Sequence, residues 1–282
     1  MKRRAIALAA ILALGLSVLS AAPAATAAEP GAVYVALGDS EAAGTGNLPY
    51  VDQSCLRSKK AYPVLLSAML GTGGVASSAC AGATTQDVSG QLGDLGSATQ
   101  LVTITAGVND LAWQQALQDC SSAGTAADCA EALQAAALAL GQLPTRIGTM
   151  IGTVRTLAPN AMIIVTGYPM LFGEVTSRCS VGAYQGTPVK FTAQQAAAVN
   201  FALTQVNAAI MAGVEGYKAL TGDPAVEYVD VTAGFEGHAL CDTGARWVSG
   251  LVSGKATSDR GFHANVAGQQ AYAAIIAAAL AS

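Results

Sequence analysis

The residues best placed to do chemistry begin with Gly38-Asp39-Ser40, which directly follows the apolar run Val33-Tyr34-Val35-Ala36-Leu37. A short β-branched and aromatic run that stops at Gly-Asp-Ser predicts a buried strand delivering a serine to the edge of a sheet. A hydroxyl there becomes a nucleophile only beside a base, and imidazole is the usual one. The chain has two histidines, His238 and His263. His263 lies in Gly261-Phe262-His263-Ala264-Asn265, just ahead of a predicted C-terminal helix. The positive end of that helix disfavours imidazolium and keeps the ring available as a base. His238, in Phe235-Glu236-Gly237-His238, falls in a Gly-rich stretch and reads as a structural or pocket-wall residue.

Two further groups complete the set. Gly82, in Cys80-Ala81-Gly82-Ala83-Thr84, would let the backbone approach a ligand and aim an N–H at it. Asn109, in Gly107-Val108-Asn109-Asp110, carries a neutral amide that can stabilise an oxyanion without ionising. Each feature also has a plain structural explanation: a helix-capping serine, a turn glycine, a turn asparagine, a histidine packed on a helix. Their weight comes from order and from position at the ends of predicted strands.

Those strands are Val33–Leu37, Val75–Cys80, Leu101–Ala106, Ala161–Gly167 and Val226–Val231. Between them run helical stretches at Ala61–Leu70, at Ala126–Leu157 with a break expected at Pro144, and at Thr192–Leu220, followed by a last helix over Asn265–Ala281. Alternation of strands and helices predicts a three-layer α/β/α sandwich around a central, mostly parallel, five-stranded sheet. The longest irregular stretches are Met170–Gly186 and Gly234–Gly254, each with one cysteine; a bond between them would hold two loops over one end of the sheet.

Residues 1–28 read as a secretory signal: Lys2, Arg3 and Arg4, the apolar run Ala5–Val18, then small residues before Glu29. Residues 29–282 are expected to form a single domain without a further membrane-spanning segment. Without Lys2, Arg3 and Arg4 that domain has 11 basic and 18 acidic side chains, a net charge of −7. Lacking a basic patch, it does not fit a nucleic-acid binder. Six cysteines, Cys55, Cys80, Cys120, Cys129, Cys179 and Cys241, in an exported chain predict three disulfides, with the pairing left open among 15 possibilities. No Cys-x-x-Cys spacing is present, and neither histidine sits in a ligand pattern, so no metal site is expected.

Taken together, Ser40, Gly82, Asn109 and His263 resemble, in order and spacing, the four blocks of the GDSL (SGNH) family of serine hydrolases, over essentially all of residues 29–282. Cys55-Leu56-Arg57-Ser58 followed by Ala61-Tyr62-Pro63, and Phe235-x-Gly-His238 with Cys241 and Trp247, look like the secreted actinobacterial lipases and esterases of that family. The resemblance implies a flavodoxin-like fold, cysteines paired in sequence (55–80, 120–129, 179–241), no cofactor, and a monomer. It also implies Ser40 and His263 as catalytic residues, with Ser40, Gly82 and Asn109 as the oxyanion hole. The substrates implied are acyl esters of lipids, phospholipids or polysaccharides; a non-catalytic binding protein on the same fold is the alternative. Two positions depart from the family. Where many members carry an Asp three residues before the histidine this chain has Arg260, with Asp259 one residue earlier, so the Arg260 carbonyl or Asp259 is expected to orient His263. Glu41 stands where relatives usually carry an uncharged residue, and is expected to point towards solvent or an arginine.

Overall fold

The computed structural model describes residues 31–113, 115–116, 125–184, 186–251 and 258–282. Five strands build the central sheet: β1 (Tyr34–Gly38), β4 (Ala76–Ser77), β5 (Leu101–Thr105), β6 (Met162–Thr166) and β9 (Val226–Val229). Their order across the sheet is β4-β1-β5-β6-β9, and every pairing is parallel. By position along the chain these are strands 2-1-3-4-5, the flavodoxin-like order, whose direction of winding reverses between β1 and β5. Ligands of such sheets bind in the crevice outside the carboxyl ends of the strands at that reversal.

The strands were legible as apolar runs because both faces of the sheet are covered. All residues of β1 and β5 are buried. Tyr34 and Ala36 face one layer, made largely by α2 (Tyr62–Leu70) and α5 (Val266–Leu280). Val35 and Leu37 face the other, made by α3 (Ala126–Leu157) and α4 (Ala193–Thr221). The buried threonines of the sheet are satisfied in place: Thr105 Oγ1 is 2.6 Å from Thr166 Oγ1 and 2.9 Å from the Tyr62 hydroxyl.

Pro144 does not break α3, contrary to the sequence expectation; the helix runs through it. The face of α3 bearing Leu143, Ile147, Ile151 and Val154 is fully buried, and α4 approaches so closely that a Cβ on Gly213 would sit 2.7 Å from the Pro144 carbonyl. That packing offsets the hydrogen bond that proline removes. Both long helices begin with a capping box, Thr125/Asp128 and Thr192/Gln195. By length and composition α4 could cross a membrane, although no spanning segment is expected from the sequence of residues 29–282. In the fold it is a layer of the sandwich, with Val206, Ile210 and Val214 in the core.

Two small antiparallel hairpins escaped the sequence reading: β2 (Tyr50–Asp52) with β3 (Arg57–Ser58), and β7 (Arg178–Tyr184) with β8 (Thr187–Thr192). The stretch read as irregular over Met170–Gly186 therefore contains most of a hairpin. Along β7 Cys179 and Val181 are buried between exposed Arg178, Ser180 and Gly182, and Pro188 is tolerated in β8 because the pair has no third strand to bond. The Cys179–Cys241 disulfide joins β7 to the Gly-rich loop, and Leu251 N–H extends the junction by donating to the Val181 carbonyl (2.6 Å). The expected bond between those two loops is present. Cys55–Cys80 is also formed. Cys120, and with it the third expected pair with Cys129, lies outside the described residues, as do residues 1–30 and Lys255.

Candidate active site

Ser40 is the first residue of the short helix α1 (Ser40–Ala43), immediately past the carboxyl end of β1. Three contacts hold that junction. Asp39 N–H donates to the Thr105 carbonyl of β5 (2.8 Å), and the Gln91 side chain accepts from Gly38 N–H (2.7 Å) and donates to Gly38 O (2.9 Å). Gly38 has φ +128°, and any Cβ there would overlap Thr105 O, so the approach of the two strands requires glycine. Asp39 caps α1 by accepting from Glu41 N–H (3.0 Å) and receives the Tyr168 hydroxyl on its other oxygen (2.6 Å). Full burial pushes the Asp39 carboxyl up to about 7, although the Tyr168 and backbone hydrogen bonds pull it down.

The Gly82 loop is drawn to the same edge. Cys80 N–H donates to Gly38 O (2.9 Å), and Ala81 N–H donates to Cys55 O (3.1 Å) beside the Cys55–Cys80 bond. Arg57 bridges Asp52 (2.5 Å) and the Ala79 carbonyl (3.2 Å). Gly82 itself has φ +82° with open space where a Cβ would be, so the backbone conformation, not crowding, calls for glycine.

Asn109 starts the turn after β5, behind Gly107 at φ +136°. Its amide donates one hydrogen bond to the Ala83 carbonyl (3.1 Å), while its oxygen accepts from Trp113 Nε1 (3.2 Å). The side chain is thereby fixed against the Gly82 loop, with one amide proton left over among the described residues. Asp110 reinforces the contact: it accepts from Thr85 N–H (2.8 Å) and Thr85 Oγ1 (2.6 Å), and Arg146 pairs with it at 3.0 Å.

His263 arrives from the opposite side. Its loop is clamped to the segment after Ser40: Asn47 Nδ2 donates to Ala264 O (2.9 Å), and Ala264 N–H donates to Glu41 Oε1 (3.2 Å). Tyr50 links the same two segments, its hydroxyl donating to Asp259 and accepting from Gly46 N–H (2.7 Å). Asn265 caps α5 through Ala267 N–H (2.9 Å) and Gly268 N–H (3.1 Å), which fixes His263 two residues outside the helix. Burial lowers the His263 pKa below its usual value; the Asp259 charge and the carbonyls of Asp259, Gly261 and Arg260 oppose the shift. Among the described residues nothing meets hydrogen-bond geometry to its Nδ1.

The four sequence-predicted residues therefore stand on loops that converge at the β1/β5 reversal and are cross-linked to one another. His238 is not among them. Its ring stacks on Trp247 at 3.6 Å and its Nδ1 lies 2.6 Å from Ala245 O, the structural role expected of it. Glu41 corrects the sequence reading: it does not face solvent or an arginine, but is buried between Ala264 and Gln269. Sequence reasoning missed Tyr168, Gln91 and Gln269 as supports. For Gln269 a signal existed, a polar residue interrupting an Ala-rich helix; for Tyr168 and Gln91 local pattern offered none. Among the described residues no group of three or more His, Cys, Asp or Glu is arranged to hold a metal ion.

Residues 36–271 match the model of the GDSL-like Lipase/Acylhydrolase family. The chain is 33% identical over 255 residues to a lipase of Streptomyces rimosus, covering 89% of both, and 33% identical over 245 residues to Lipase 1 of Streptomyces coelicolor, covering 84% of both. Its fold is similar to the crystal structure of phospholipase A1 from Streptomyces albidoflavus NA297 (TM-score 0.72, 30% identity, 88% of this chain and 99% of that one). It is similar to the same degree to the extracellular lipase of Streptomyces rimosus (TM-score 0.70, 31% identity, 87% and 98%). Matched along nearly its whole described length, the chain belongs to the GDSL-like lipase/acylhydrolase family and is an ester hydrolase.

Proposed function

We propose that the protein is a secreted serine esterase that cleaves acyl esters of lipids through a Ser40–His263 mechanism. The observation that carries this reading is the convergence of the Ser40, Gly82 and Asn109 loops with the His263 loop at the β1/β5 reversal. Ser40 Oγ attacks the ester carbonyl as His263 accepts the hydroxyl proton, and the electron pair of the carbonyl moves onto its oxygen. The backbone N–H groups of Ser40 and Gly82 and the spare Asn109 amide proton stabilise that oxyanion. His263 then hands the proton to the departing alkoxide, releasing the alcohol and leaving an acyl-Ser40 ester. Water, deprotonated by His263, attacks the acyl group; Ser40 leaves with the proton and the carboxylic acid is released.

The lowered pKa of His263 suits this role, because the ring is neutral and basic at the pH where it must accept a proton. Tyr50 engages one oxygen of the Asp259 carboxyl, and among the described residues the other oxygen and His263 Nδ1 have no hydrogen-bond partner. Of the groups around the ring we assign its orientation to the backbone carbonyl of Arg260, with Asp259 the group to test against it. A lipid acyl substrate is favoured by the phospholipase A1 and the lipases that this chain is similar to. Residues 1–28 are proposed as the export signal and residues 29–282 as one domain; the two disulfides are consistent with an oxidising destination. We treat the enzyme as a monomer, the state that its resemblance to the family implies.

The test is hydrolysis of p-nitrophenyl esters from acetyl to palmitoyl by the oxidised protein, beside Ser40→Ala and His263→Ala. Turnover lost in both variants supports the mechanism, and the preferred acyl length identifies the substrate class. Wild-type turnover no greater than that of Ser40→Ala on every ester overturns it in favour of a binding protein. In an Asp259→Asn variant, turnover within a few-fold of wild type supports orientation by backbone carbonyls, and loss of about four orders of magnitude assigns that role to Asp259.

A further inference from the structure

Glu41 is the most unusual residue near the site. It follows Ser40 directly, is 5% exposed, and makes no ion pair among the described residues. Each carboxyl oxygen accepts from a different part of the C-terminal segment. Oε1 takes the Ala264 N–H (3.2 Å), next to His263, and Oε2 takes Gln269 Nε2 (3.3 Å) at the end of the first turn of α5. Gln269 Nε2 also donates to the Glu41 backbone carbonyl (3.1 Å), and its oxygen accepts from Tyr62 N–H (2.6 Å) at the start of α2. One side chain thus bridges the helix that begins at Ser40 to the loop and helix that hold His263. An uncharged apolar residue at this position could fill the space but could not accept from Ala264.

We propose that Glu41 is a positioning residue for the Ser40–His263 pair, its carboxyl group fixing the separation of the two loops. This rests on the mechanism proposed above. The same geometry makes the contact depend on pH. The titratable groups facing Glu41 are Asp39 on its own segment, Tyr62 from α2, Tyr272 from α5, and His263 beside the Ala264 donor. Burial raises Tyr62 to about 12 and Tyr272 well above its usual value, so both stay neutral in any practical assay. Burial, and then the neighbouring Asp39, push Glu41 itself up to about 8. As pH rises through that value a second buried negative charge appears beside the site, where it opposes formation of the oxyanion. Below it the carboxyl group is neutral and still accepts from Ala264.

The experiment compares kcat and KM for a p-nitrophenyl ester across about pH 5 to 10 in wild type, Glu41→Gln and Glu41→Ala. Ser40→Ala and His263→Ala are run in parallel. The expected result is threefold: wild-type kcat declines above about pH 8; Glu41→Gln stays within about threefold at pH 7 but loses the alkaline decline; Glu41→Ala loses about tenfold or more in kcat with KM little changed. A bystander that only fills space would shift melting temperature and leave the pH profile alone. Identical profiles for wild type and Glu41→Gln, or full kcat in Glu41→Ala, overturn the proposal. If Glu41→Ala does not fold, the profile of the near-isosteric Gln variant decides alone. Retained turnover in Ser40→Ala or His263→Ala would instead refute the mechanism on which the proposal rests, a different and separately visible failure.

Discussion

Replacing Tyr168 by Phe removes a single hydroxyl from beneath the site. That oxygen donates to Asp39 Oδ2 at 2.6 Å and accepts from Val108 N–H at 3.3 Å. The backbone of Tyr168 stays anchored to Asn207 (2.9 and 2.8 Å), so the ring keeps its place and the change is confined to the two lost bonds. Leaving a buried acceptor and a buried donor without partners costs about 1–2 kcal/mol when Asp39 is neutral, and about 3 kcal/mol when it is ionised, since bonds to charged groups are stronger. The sign of the pH dependence follows from Asp39. Its folded pKa, about 7, lies above the ordinary carboxylate value, so its contribution to stability is fully present at acid pH and is lost as pH rises through about 7. The Tyr168 bond holds that pKa down; without it the folded pKa climbs further and ionisation costs the fold more. Urea denaturation at about pH 5.5 and pH 9 should therefore show a destabilised variant at both, with the larger loss at the higher pH, and kcat falling as the cap of α1 loosens. A difference under about 0.5 kcal/mol at both pH values, or a larger loss at pH 5.5, would refute the reasoning.

Gly38→Ala forces a side chain into a φ of +128° and into the Thr105 carbonyl, so thermal denaturation should show a loss of at least about 1–3 kcal/mol from the backbone conformation alone, with esterase turnover abolished. Asn109→Ala removes one proposed oxyanion donor and should lower kcat by about 100- to 1000-fold in p-nitrophenyl ester assays while KM changes little. Cys55→Ser with Cys80→Ser opens a loop of sequence separation 25, which should cost about 3 kcal/mol in chemical denaturation. It should also reduce kcat, because the bond ties the Gly82 loop to the hairpin of Arg57.

Much of the architecture could be read along the chain because β1, β5 and β6 are covered on both faces and so appear as unbroken apolar runs. The ends of those runs marked Ser40 and Asn109, and the Asn265 cap marked the start of the helix behind His263. The small hairpins were not legible. β2 is three residues long and β3 two, and the buried positions of β7, Cys179 and Val181, are separated by Ser180 in a stretch rich in small and polar residues, so no apolar run marks either pair. The course of α3 through Pro144 depended on α4, whose Gly213, 69 residues further along the chain, permits the close packing that keeps the helix intact.

What the amino-acid order alone determined was the class of fold and the set of groups proposed to react: a serine, a glycine, an asparagine and a histidine in turn, three of them at or just beyond strand ends and the histidine just ahead of a helix. What only the tertiary structure decided was the electrostatic state of the site. A carboxylate next to a nucleophile is, on the chain, equally able to face water or the core. Its burial at Glu41 follows from Gln269 and the Ala264 amide, more than 220 residues downstream, arriving as donors. Likewise the ordinary Asp39 of a turn becomes a buried acid with a raised pKa because Tyr168, 129 residues away, completes its surroundings. Hydrophobic periodicity is a local property and can be read locally; desolvation and hydrogen-bond satisfaction are sums over everything that packs around a group, and those neighbours are chosen only when the chain closes on itself.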